Sequence, residues 1–206
     1  MKKVIYIVIA VILLGGIFYY KNAIMGRAAM SRTQVPVASA EGNRLGNPET
    51  KNGQKVLVAY FSWGGNTRKV ANQIHEAVGG DIFEIHTATP YPAEYEPTTK
   101  VAKEEIEKDI RPALAGKIDD MSDYDVIFIG YPIWWHTAPM AVHTFMEAYD
   151  LSGKTVIPFC TSGGSDLQES LPAIRQLAPH SEILEGITAN DHSAIEPWLK
   201  KIGILK

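Results

Sequence analysis

Three runs in this chain are apolar with no alternation: Val56–Phe61 (VLVAYF), Asp125–Gly130 (DVIFIG, after its opening acid) and Thr155–Cys160 (TVIPFC). A strand with one wet face alternates apolar and polar residues, whereas these runs leave no side for water. Segments with helical spacing stand between and after them. Thr67–Val78 is stopped by Gly79-Gly80, and Thr98–Ile110 places Val101, Ala102, Ile106 and Ile110 on one side. Ala138–Ala148, Leu167–Gln176 and Ser193–Ile202, the last with Trp198 and Leu199 facing inward, complete the helices. Asp81–Ile85 reads as a short strand, and Ile183–Leu184 with Ile187 as weak candidates for a fifth. Strands buried on both faces and alternating with helices predict an α/β fold, a doubly wound parallel sheet of five strands.

Ligands of such sheets bind in loops at the carboxyl ends of strands, so the site is expected after Phe61, after Gly130 and after Cys160. The first loop, Ser62-Trp63-Gly64-Gly65-Asn66-Thr67, opens a helix. Ser62, Asn66 and Thr67 offer side-chain donors, the two glycines let the backbone bend close to an anion, and the helix N-terminus adds unpaired N–H groups. It lacks the lysine of a G-x-x-x-x-G-K-[ST] loop and is not G-x-G-x-x-G, so it suits one phosphate rather than three. The competing reading is an ordinary strand-to-helix turn capped by Asn66 or Thr67. The second loop runs from Tyr131 through Pro132, Ile133, Trp134, Trp135, His136 and Thr137 to Pro139. Consecutive tryptophans point in different directions, so one of them meets solvent or a ligand. The third, Thr161-Ser162-Gly163-Gly164-Ser165-Asp166, is small and rich in backbone donors. A phosphate turn, an aromatic wall and a hydrogen-bonding loop together make a mononucleotide site.

With the strand ends reading YFSxxGNT, GYPIWW and PFCTSGGS, the chain resembles the flavodoxin-like FMN-binding family over about residues 54–206. The resemblance implies the flavodoxin-like sheet with strand order 2-1-3-4-5. It implies FMN as cofactor, with the phosphate held by Ser62, Asn66, Thr67 and the Gly64–Gly65 backbone and with Trp63 in the same loop. Pro132, Ile133, Trp134, Trp135 and His136 would line the isoalloxazine ring, and Thr161, Ser162, Gly163, Gly164 and Ser165 would meet its pyrimidine edge. Tyr91 and Tyr95 are further candidates for outer walls.

Two residues depart from the pattern the resemblance implies. Gly64 stands where many relatives carry Ser or Thr, a loss of one phosphate hydroxyl worth about 1 kcal/mol. His136 stands where relatives of this branch commonly carry glycine. A non-glycine residue resists positive φ by about 1–2 kcal/mol, so His136 is expected to keep this loop out of the left-handed region and to favour two-electron chemistry. His136 is also the sole candidate for a proton donor, against the alternative of a solvent-exposed loop histidine. His136 and His143 lack a third ligand nearby, and no metal is expected.

Residues before the domain differ in character. Val4–Tyr20 holds 17 residues without a charge after Lys2-Lys3, a helix of about 25 Å against a hydrocarbon core of about 30 Å. Residues 1–26 therefore read as an N-terminal hydrophobic helix, a membrane anchor or signal segment. The anchor is favoured because the best small-residue cleavage pattern, Ala38-Ser39-Ala40, lies far beyond Tyr20. Residues 27–53 read as a flexible linker, and 54–206 as the FMN-binding domain. Basic residues are nearly balanced across the apolar segment, so an extracytoplasmic domain is expected with a cytoplasm-facing anchor as the alternative. Residues 50–206 carry 14 Lys+Arg against 21 Asp+Glu, which argues against a nucleic-acid partner. Cys160 is the single cysteine, excluding an internal disulfide, and is expected to be buried in its strand.

Three functions stay open at this point. One is a tethered FMN protein that transfers electrons to a redox partner protein or small quinone-like acceptor. Another is an FMN-dependent NAD(P)H or quinone oxidoreductase. The last is a non-redox binding module that has lost FMN.

Overall fold

Five parallel strand positions carry the molecule, as seen in a computed structural model that describes residues 53–206. The anchor expected over 1–26, and the linker expected over 27–53 up to residue 52, lie outside the described residues. In chain order the elements are β1 (Val56–Tyr60), α1 (Asn66–Val78), β2 (Asp81–Glu84), α2 (Tyr95–Glu107), β3 (Val126–Pro132), α3 (Met140–Glu147), β4 (Thr155–Thr161), α4 (Leu167–Leu177), β5 (Glu182–Ile183), β6 (Ile187–Thr188) and α5 (Ile195–Lys201). The sheet order is β2-β1-β3-β4-β5, with β6 also on β4, and every pairing is parallel.

Alternation along each strand divides the core in two. Leu57, Ala59, Ile127 and Ile129 face α3 and α4 and pack with Val142, Phe145, Leu171 and Ile174. Val56, Val58, Val126 and Phe128 face α1 and α5 and pack with Val70, Ile74, Trp198 and Leu199. Each fully buried aliphatic or aromatic side chain contributes about 1.5–3 kcal/mol, so both faces must be covered for the sheet to persist. Among the described residues, no helix is long and apolar enough to cross a membrane.

Three details differ from expectation. First, β3 and β4 run on to Pro132 and Thr161, two and one residues beyond the apolar runs, and these last residues pair with each other. The second and third loops therefore leave the sheet side by side. Second, α2 starts at Tyr95 and buries Thr98, Ala102 and Glu105, whereas Val101 and Ile110 are exposed. Its inner face is semi-polar, which apolar spacing cannot reveal. Third, the fifth strand is split into β5 and β6. The carbonyls of Val156 and Cys160 accept the N–H groups of Leu184 and Ala189, so alternation turns Pro158 towards that same edge, where it has no N–H to give. The gap falls opposite it. There Gly186 lies so close that a Cβ would stand 2.2 Å from the Pro158 carbonyl oxygen.

Candidate functional site

From β1 the chain turns to β2 on one side, while β3 lies on the other, so the loops after β1 and β3 diverge and open a crevice at the strand ends. In the first loop Gly65, at φ 84°, precedes α1. Ser62 Oγ accepts the N–H groups of Gly65 (3.1 Å) and Arg68 (3.2 Å) and thereby holds the turn. The N–H groups of Asn66 and Thr67 donate to no protein group among the described residues, and the first turn of α1 contains no acid. The positive end of a 13-residue helix is thus left open towards the crevice. Arg68 is turned away to form a two-pronged pair with Glu84, which also accepts the Tyr60 hydroxyl at 3.1 Å. Burial, with the Glu84 charge beside it, holds the Tyr60 phenol above its usual range.

The second loop is a tight hairpin. Trp134 and Thr137 exchange both backbone hydrogen bonds at 3.0 Å, and the two residues between them, Trp135 and His136, have φ of 48° and 66°. Positive φ at both central positions is the I′ arrangement, which Asn-Gly adopts without strain and which costs a bulky residue about 1–2 kcal/mol. The expectation that His136 keeps this loop out of the left-handed region is therefore overturned, and the inference to two-electron chemistry loses its premise. Side-chain contacts hold the strained turn in place. Trp135 Nε1 donates to the Thr99 carbonyl of α2 at 3.1 Å, with the Lys103 ammonium 5.3 Å from its ring. His136 Nδ1 meets the Glu169 carboxylate, which the contact holds below its usual carboxylate range. Glu169 also accepts the Asp166 N–H at 3.1 Å while Asp166 accepts the Gln168 N–H at 2.9 Å, forming the capping box of α4.

The third loop is drawn around Ser162, whose Oγ accepts the N–H groups of Gly164 (3.1 Å) and Ser165 (2.7 Å). Asn190 clamps it from outside, accepting the Ser162 N–H at 3.0 Å and donating to its carbonyl at 2.7 Å. Buried Thr67 joins the first loop to the third through a 2.9 Å hydroxyl contact with Thr161.

Together the loops bound a cleft of about 850 Å³, well within the range of cofactor sites. Of the residues expected at the site, Trp63, Asn66, Pro132, Ile133, Trp134, Trp135, His136, Thr161, Ser162, Gly163 and Ser165 line it. Ser62, Gly64, Gly65, Thr67 and Gly164 belong to the same loops without lining it. Tyr95 lines the cleft and is largely exposed. Tyr91 does not, and packs its ring edgewise on Phe61 and Trp134 at 5.6 and 5.1 Å. Cys160 is wholly buried, and burial pushes its thiol up to about 12. Reasoning from sequence missed Lys69, Thr98, Thr99, Asn190 and His192, which also line the cleft. It missed Glu169 as well, although Asp166-Leu167-Gln168-Glu169 is a capping-box signature.

A family model described as flavodoxin matches residues 55–202 of this chain. The chain belongs to the flavodoxin family. Among solved structures it is similar to a protein from Bacteroides eggerthii assigned as a flavoprotein, with 40% identity and a TM-score of 0.66, over 73% of this chain and 99% of that one. A second such protein, from Bacteroides uniformis, shares 35% identity over 71% and 98% of the two chains, with a TM-score of 0.64. A Lactobacillus acidophilus flavoprotein in complex with FMN has a TM-score of 0.61 at 23% identity, over 70% and 98% of the chains, and shows the shared fold. No curated protein matches the chain. The flavodoxin-family cleft thus lies where the sheet order reverses, as the strand-end loops led one to expect.

Proposed function

We propose that this chain is a flavodoxin-like flavoprotein that binds FMN and transfers electrons, tethered to a membrane by its N-terminal segment. The observation that carries the reading is the open N-terminus of α1 in a cleft walled by tryptophans. The free N–H groups of Asn66 and Thr67 supply donors for a phosphate, and Lys69 and His192 on the cleft wall suit its charge. Trp63 and Trp134 offer apolar ring surface, and Ser162, Gly163 and Ser165 offer polar edges. These groups fit a flat ring system bearing one phosphate. Bound there, FMN would supply the redox chemistry while the protein sets access and orientation.

A second reading, an FMN-dependent NAD(P)H or quinone oxidoreductase, is favoured by one observation. His136, oriented through Nδ1 by Glu169, presents an exposed imidazole at the cleft, a suitable place to deliver a proton to a reduced acceptor.

The deciding experiment adds FMN to the full chain in detergent, records the absorption spectrum and identifies by mass the flavin kept after ultrafiltration. Retained FMN with a perturbed visible band is the expected result. A folded chain that retains none would leave a non-redox binding module. NAD(P)H oxidation by the loaded protein with a quinone present would select the oxidoreductase.

A further inference from the structure

Beneath the flavodoxin cleft, on the other side of Tyr91, lies a second cavity of about 350 Å³. It forms where the segment after β2 folds back on the approach to β3. Ala88 N–H donates to the Ala113 carbonyl and Ala115 N–H to the His86 carbonyl, at 2.7 and 2.8 Å, with α2 laid across them. Pro90, Pro92 and Pro112 stiffen the walls, and Val101 completes an apolar side.

One side chain in this cavity does not fit an apolar interior. Glu105, one turn beyond Val101 on α2, lines the cavity with only 8% of its surface exposed. Its Oε2 accepts the Tyr91 hydroxyl at 2.7 Å. No cation pairs with it among the described residues. The nearby bases are engaged elsewhere: Arg111 with Glu147 and Asp109, Lys108 with Glu104, and His86 beside Glu84. A carboxylate buried without a positive partner costs several kcal/mol, and burial accordingly raises the pKa of this one. Nature usually places such a group where a ligand completes it. Apart from Glu105, the sole titratable residue lining the cavity is Tyr91, so the site carries one negative charge and no positive one.

We propose that this cavity binds a compact planar organic cation, an amidinium or guanidinium, whose N–H groups bond Glu105 and whose apolar body rests against Val101 and the three prolines. The proposal does not depend on flavin. Its walls and its acid are separate from the cleft, although the two cavities share the Tyr91–Trp134 contact.

The test is a titration of the full chain in detergent with benzamidine, alongside benzamide, the neutral molecule of nearly the same shape. Amide NMR shifts of Thr87, Val101 and Ala113 report occupancy. Saturable shifts with millimolar benzamidine, at least about tenfold weaker with benzamide, are expected. Glu105→Gln keeps an acceptor for Tyr91 and should lose the benzamidine response by at least about tenfold. Ala113→Trp fills the mouth without touching Glu105 and should abolish it too, which keeps the test intact if Glu105→Gln misfolds. Equal binding of the two probes, or no saturable shift at these residues, would overturn the assignment.

Discussion

Gly64 and Gly65 are neighbours with opposite requirements. A Cβ on Gly64 would meet nothing within 4 Å, and its backbone is not left-handed, so a side chain there is free of both clash and strain. Gly65 has the same open space, with only Arg68 Nη1 at 3.8 Å, but sits at φ 84°. Gly64→Ser should therefore leave stability within about 1 kcal/mol. It should also add a hydroxyl to the phosphate turn, tightening FMN about fivefold, the equivalent of one net hydrogen bond. Gly65→Ala should cost about 1–2 kcal/mol through backbone strain alone. Denaturant melts and flavin fluorescence titrations of both variants measure this contrast, and a Gly65→Ala protein as stable as the parent would refute it. The same scale shows what sequence conceals. Tandem tryptophans announced an aromatic wall, but nothing in the letters Trp135-His136 announces a left-handed pair, because the preference of those residues is against it. The contacts to Thr99 and Glu169 that hold the turn join positions over thirty residues apart.

Among the elements, the sheet was legible because full burial of a parallel strand leaves a continuous apolar run. The fifth position was legible only in pieces, and Pro158 gives the physical reason: the donor missing from β4 removes the ladder bond that would have joined β5 to β6. Gly186→Ala probes that junction. Its new Cβ would press on a backbone carbonyl and on Leu167 at 2.4 Å, so β6 must move and about 1–3 kcal/mol should be lost, read by chemical denaturation. Protection of the Ala189 amide against hydrogen exchange should fall with it. On α3, His143 has an Nε2 buried without a hydrogen-bond partner. Burial, helped by Arg111, lowers its pKa below the ordinary 6.5, while Glu147, Asp109 and the Ala138 backbone oppose the shift. The unfolded chain then takes up the proton first, so stability present above that value is lost as pH falls through and below it. Comparing denaturation at about pH 8 and about pH 5.5, the parent should lose more stability than His143→Phe. An identical loss in both would show that His143 does not titrate on unfolding.

For the whole molecule, the fold and the three strand-end loops were readable from sequence, whereas the contributions of α2 and of residues 189–192 were not. Lys69 sits on a helix surface like any other, and Asn190 and His192 follow the split strand, so only tertiary assembly brings them to the cleft. The charge balance belongs to this scale as well. With 21 acids against 14 bases over residues 50–206, association with a basic redox partner should be steered electrostatically and slow down in salt. The match to residues 55–202 and the relative covered over 99% of its own length indicate that folding is the business of the C-terminal part. Residues 54–206 expressed alone should therefore show the same denaturation midpoint as the full chain, and only the full chain should sediment with membranes. Membrane association of the truncated form would move the attachment to the domain itself.

Cys160 lies sealed on β4, one residue before the Ser162 loop, with its thiol held near 12. Sulfur in that state yields almost no thiolate at any pH a cell maintains, so it offers oxidants and disulfide exchange nothing to attack. The chain is accordingly indifferent to which side of a membrane it faces, neither cross-linking to its neighbours in an oxidising compartment nor needing repair in a reducing one. A coulometric count of reducing equivalents on the native protein would then register the cleft's occupant alone, with no contribution from the polypeptide's single sulfhydryl.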